Sequence, residues 1–63
     1  DYNARLYEKM KAEQDKYRDW LLHQEPSEIL NHTYEYTMRE DIVMCMEELE
    51  LEPERARALL RSS

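Results

Sequence analysis

The sequence predicts an all-α fold: two long antiparallel helices over residues 1–24 and 26–50 and a short C-terminal helix over 53–61, with dimerisation completing a helical bundle. Three observations predict it. The chain has no Gly and only two Pro in 63 residues, which removes the corner residues of turn-rich β architecture and leaves mostly good helix formers. Apolar side chains recur at three- and four-residue intervals instead of alternating, which is the period of a helix and not of a strand. Both prolines, Pro26 and Pro53, stand where such a pattern restarts, and proline is well suited to the first position of a helix.

In the first segment Tyr2, Leu6, Met10, Tyr17, Trp20 and Leu21 fall in a stripe about 100° wide on a helical wheel. Glu8, Lys11, Asp15 and Arg18 occupy the opposite side and read as a solvated face. Glu13 lies inside the stripe, either as a polar layer that fixes a partner's register or, the favoured reading, as a stem that snorkels to water. The ring of Pro26 disfavours helical backbone at Glu25, so the first helix has to stop before it in a tight corner.

The second segment places Tyr34, Met38, Ile42, Cys45, Met46 and Leu49 on one side, while Ile29 and Tyr36 point away from them. Two readings stay open. The helix bends or breaks within 31–37, where Asn31, His32, Thr33 and Thr37 are mediocre helix formers. Otherwise it is central, with one apolar face for the first helix and another for a second chain. In the last segment Glu52 reads as the N-cap and Leu51 is placed to staple onto Ala56. Ala56, Leu59 and Leu60 share one side, and Arg61 complements the helix dipole.

A single domain is the most that this length holds, and so small a chain buries only about 60% of its unfolded surface. A partner chain would add core. Cys45 is the only cysteine, whereas small secreted domains are usually stapled by disulfides, so the reading is a cytoplasmic protein. No apolar run approaches the roughly 18 residues of a membrane span, and the N-terminus lacks the order of a signal peptide. Asp1 stands in place of an initiating Met, the pattern of a chain trimmed from a longer protein.

The net charge of -6 is uneven: residues 1–24 carry five acids and five bases, so the deficit lies from Glu25 onward. It is densest at Glu47, Glu48, Glu50, Glu52 and Glu54. An acidic half of this kind argues against broad binding to a phosphate backbone.

Three stretches carry a resemblance: Tyr7-Glu8-Lys9-Met10, the run from Glu13 to Leu22, and the run from Glu28 to Thr37. They resemble a family of short uncharacterised bacterial proteins encoded on conjugative and other mobile elements of gut anaerobes. The likeness runs from about Leu6 through Arg39-Glu40-Asp41-Ile42 to Leu60. The resemblance implies a cytoplasmic mobile-element accessory protein and brings no catalytic or binding residues with it. This chain departs from it at Met44-Cys45-Met46-Glu47-Glu48 and by ending soon after Leu60, where relatives are expected to continue.

The chemistry-bearing residues point away from catalysis. His32 has Glu28 four residues before it and Glu35 three after, a spacing that could place ligands on one helical face. A di-iron bundle, however, needs Glu-x-x-His on paired helices, and no second copy exists. Cys45 sits among Met44, Met46 and Ile42, which reads as buried packing in place of an activated thiol. Consecutive Met44, Cys45 and Met46 diverge by about 100° each on a helix and cannot converge on one ion. Without glycine there is no phosphate-cradling loop. No metal or cofactor is expected.

The function expected is that of a non-enzymatic helical protein-protein interaction or scaffolding module, bound to a second copy of itself or to another protein. Leu6, Met10, Tyr17, Trp20 and Leu21 are the contact residues this reading selects, because they supply more apolar surface than three short helices can cover. The alternatives are a DNA-binding regulator using the helix 53–61 with Arg55, Arg57 and Arg61, and an acidic surface that imitates nucleic acid. Glutamates beside those arginines oppose the first.

Overall fold

The computed structural model describes residues 1–62 and contains three helices and no strand among them: α1 (Tyr2–Leu22), α2 (Pro26–Glu48) and α3 (Pro53–Arg61). The all-α expectation and the three-element order hold. The two long helices each end two residues earlier than the sequence pattern suggests, and α2 runs through 31–37 without a break. Tertiary contact thus overrides the modest propensities of that stretch.

Local chemistry sets each boundary. The Asp1 carboxylate caps α1 by accepting from the Asn3 backbone N–H at 3.0 Å. At the other end His23 and Gln24 donate their N–H groups to Trp20 and Leu21 carbonyls, closing the last turn. Glu25 and Glu52, each preceding a proline, take extended backbone with ψ 148 and 140, and Pro26 and Pro53 open the next helices. The two corners are therefore built from pre-proline residues. Among the described residues none has positive φ, as a glycine-free chain requires.

α1 is the central element, and α2 and α3 both lean on it without packing on each other. The pairs Gln14 to Glu40, Tyr17 to Tyr36 and Trp20 to His32 run in opposite directions along the chain, so α1 and α2 are antiparallel. Asn3 meets Leu51 and Lys9 meets Leu60, so α3 runs parallel to α1 beside its N-terminal half. The molecule measures 41 × 18 × 13 Å.

The apolar core is small: Leu6, Leu21 and Ala56 are the buried hydrophobic residues described, and Gln14 is buried with them. At about 1.5–3 kcal/mol for each large side chain, such a core cannot hold three helices by itself. Polar fasteners do the rest. The Asn3 amide donates to the Leu51 carbonyl at 2.8 Å and accepts from the Leu51 N–H at 2.8 Å, mimicking one rung of a β-ladder. Lys9 Nζ donates to the carbonyls of Leu60, at 3.0 Å, and Ser62 at the C-terminal end of α3, where the dipole favours a cation.

Tyr34, Met38 and Cys45 of the expected stripe do not face α1, Ile42 and Leu49 are about half exposed at the edges of grooves against it, and Cys45 is exposed, not buried. Ile29, His32, Tyr36, Arg39, Glu40, Val43 and Met46 are the partly buried residues of α2 instead. The reason is register: α1 presents Met10, Gln14, Tyr17 and Leu21 at spacings of four, three and four, and the tips of Gln14 and Tyr17 need polar partners across the seam.

Two Asn3 hydrogen bonds at about 1 kcal/mol each hold the α2–α3 linker. Asn3→Ala is expected to raise amide exchange across residues 53–61 by tenfold or more while α1 and α2 keep their protection. Hydrogen exchange read residue by residue checks this; uniform acceleration of all three helices would contradict it.

Candidate functional site

Two surfaces come forward when the residues are built up from the helices: a polar aromatic cluster across α1 and α2, and the outer face of α2. The cluster centres on Tyr17. Its hydroxyl donates to Glu35 Oε1 at 2.7 Å and lies 3.3 Å from His32 Nδ1, which is itself 3.0 Å from the same carboxylate oxygen. The Nδ1–H tautomer of His32 fits this geometry, because it can donate to both oxygens. Around the ring, Trp20 stacks at 5.8 Å and Tyr36 at 6.5 Å, and the Arg39 guanidinium lies 4.2 Å from its centroid. Trp20 also meets the His32 ring edge-on at 5.5 Å.

Electrostatics follow from those contacts. Glu35 is held below the ordinary 4.5, first by the Tyr17 hydroxyl and then by His32, both hydrogen-bonding its charged form. Tyr17 is pushed above the ordinary 10.0, first by desolvation and then by the bond to Glu35, which is lost when the phenol ionises. His32 is therefore occupied. Its other nitrogen, Nε2, is 3.7 Å from Glu28 Oε2, so the two carboxylates that the sequence places beside His32 address opposite ring nitrogens and do not converge on one point. Among the described residues no group of three His, Cys, Asp or Glu is arranged to hold a metal ion.

The five contact residues selected from the sequence are placed differently from one another. Leu6 and Leu21 are buried inside the chain's own packing, Met10 and Tyr17 are half-buried, and Trp20 is 46% exposed. α2 and α3 consume most of that stripe. Met10 instead lines the floor of an open groove of about 310 Å³ with Gln14, Arg39, Ile42 and Val43. A second groove of about 300 Å³ near the hairpin runs over Leu21, Ile29 and Tyr36. Both are open at the surface.

The surplus apolar surface lies on α2. Leu30, Tyr34, Met38 and Ile42 repeat every four residues, and Cys45 and Leu49 continue the line. All six are exposed, Tyr34 at 77% and Leu30 at 72%. At 100° per residue this stripe lies nearly opposite the one formed by Ile29, Tyr36 and Val43. α2 therefore has two apolar faces, one against α1 and one uncovered, and none of its residues is fully buried. The sequence reading missed Leu30 as the start of the outer stripe, although its four-residue step to Tyr34 was there to be found. It also missed Gln14, whose signal was the 10, 14, 17, 21 spacing.

The cluster ties stability to pH at both ends. Glu35, with its folded value depressed, contributes stability that is present above pH 4.5 and lost as the pH falls through the lower folded value. Tyr17, with its folded value raised, contributes stability present below pH 10.0 and lost as the pH rises through the higher one. Urea unfolding of wild type and Glu35→Gln at pH about 7 and about 3 is expected to show a shallower acid loss in the variant. Equal losses would remove Glu35 from the account.

No curated protein and no solved structure is significantly similar to the chain. A family model described as "Protein of unknown function (DUF3848)" matches residues 2–63. That match spans all three helices, the Tyr17 cluster and the outer face of α2, and the chain belongs to the DUF3848 family.

Proposed function

We propose that this protein is a non-enzymatic helical binding module that docks another protein on the outer face of α2. One observation carries the reading: a continuous apolar line of Leu30, Tyr34, Met38 and Ile42 is left in water on a helix whose opposite face already packs on α1. A stripe of this periodicity is what helix-in-groove and helix-on-helix recognition uses. Its setting in the proposal is the cytoplasm, where an exposed lone thiol such as Cys45 stays reduced, and the accessory role in a mobile element that the resemblance implies.

The DNA-binding reading of α3 draws less support. Arg55, Arg57 and Arg61 are exposed, but α2 and α3 do not pack on each other, so they do not form the helix pair of a helix-turn-helix. Glu52 and Glu54 share the start of α3 and repel phosphate.

Because the outer stripe lies outside the core, the triple variant Tyr34→Ser, Met38→Ser, Ile42→Ser is expected to keep its helix content and to lose no more than about 0.5 kcal/mol per site, the usual range of a surface substitution. Partner cross-linking in cells that carry the protein is expected to disappear with it. A large loss of stability would place the stripe in the core. Unchanged cross-linking in a folded variant would place the docking surface elsewhere.

A further inference from the structure

The chemistry of the docking face narrows its occupant further, and this step rests on the α2 reading above. We infer that the outer face of α2 takes a basic amphipathic helix of another protein. α2 carries six carboxylates against the single guanidinium of Arg39: Glu40 is turned to Gln14 in the seam and Glu47 to the first turns of α1, while Asp41 and Glu48 lie on the side of the outer stripe. Arg39 is already committed: its Nε donates to Gln14 Oε1 at 3.0 Å and its head covers the Tyr17 ring. No free cation borders the stripe.

The acids are arranged against the helix's own interest. Glu47 and Glu48 occupy the last turn of α2, which has no basic residue, at the end where the dipole is negative and disfavours a carboxylate. Glu50 and Glu52 continue the run beyond it. Among the described residues every ion pair within 4.0 Å involves a histidine, so Asp41, Glu47 and Glu48 have no cationic partner in the chain. Lysines or arginines flanking the apolar side of an incoming helix would supply the missing charge along the stripe and at its negative end.

A second copy fits poorly. The stripe runs from Leu30 to Leu49, and a two-fold axis through its middle would bring the two Asp41 side chains, which lie on the stripe beside Met38 and Ile42, toward each other as water is excluded. The same field repels the phosphates of nucleic acid and of anionic lipid.

Calorimetric titration of the full chain with two synthetic helical peptides of about 18 residues tests this, one Leu/Lys and one Leu/Gln with the same apolar pattern. The Leu/Lys peptide is expected to bind at least tenfold tighter than Leu/Gln. Tyr34→Ala with Met38→Ala should weaken it tenfold or more, and Asp41→Asn with Glu48→Gln should weaken it several-fold and flatten its salt dependence. Equal binding of both peptides, lost from both on the Tyr34 and Met38 changes, keeps the docking face and overturns the basic partner. Leu/Lys binding indifferent to Tyr34 and Met38 is adsorption to net charge, and overturns the face with it. A concentration-dependent dimer abolished by the same changes makes the occupant a second copy, and the proposal fails. Circular dichroism confirms that each variant remains helical.

Discussion

Gln14 is the constraint on which the α1–α2 hairpin turns. It is the polar side chain that the structure buries, in a seam otherwise made by Met10, Tyr17 and Leu21. A buried primary amide needs both its donors and its acceptor engaged. Gln14 Oε1 accepts from Arg39 and Nε2 donates to Glu40 Oε1 at 3.0 Å, with the Tyr36 carbonyl at 3.5 Å. Sliding α2 by one turn so that Val43 and Met44 replace Arg39 and Glu40 would leave that amide facing aliphatic carbon, at a cost of roughly 1–3 kcal/mol, a large fraction of what so small a domain can have. Register is thus set by one amide, and with it the direction in which every other side chain of α2 points.

The consequence is a helix turned inside out by hydropathy. Because Gln14 and Tyr17 demand hydrogen-bonding partners, α2 brings His32, Glu35, Tyr36, Arg39 and Glu40 toward or along the seam. Its more apolar line then has to face the other way. The side chains at the seam are still good packing material: aromatic rings stack and long stems cover surface while their tips stay bonded. Polar contact and ring stacking replace much of the core that 63 residues cannot provide.

This is also why fold class was legible and facing was not. Helix identity, order and corners follow from local rules: no glycine, period-3.6 patterning, prolines at first positions, Asp1 as a cap. All of these are written in adjacent residues. The orientation of α2 depends on a pairing 26 residues apart in sequence, between Gln14 and Glu40, and a hydrophobic-moment argument scores that interface as surface. Cys45 shows the same failure: apolar neighbours on a helix say that it lies on an apolar stripe, not whether that stripe is covered. Asn3 and Lys9 escaped for a related reason, since an Asn that pins a backbone 48 residues away looks, in sequence, like any polar residue of a first turn.

On the proposed reading, stability and binding draw on separate faces of one helix. Substituting the seam of α2 affects the fold, whereas Leu30, Tyr34 and Met38 of the outer stripe line neither the groove over Gln14 nor the Tyr17 cluster. Terminal acids at Glu47 and Glu48 act against helix formation at the point where the chain leaves α2 for its linker, and hydrogen bonds from Asn3 and Lys9 add to the buried Ala56 in holding the following helix to α1. On the proposed reading, a cation arriving at that end of α2 would relieve the repulsion among its terminal acids.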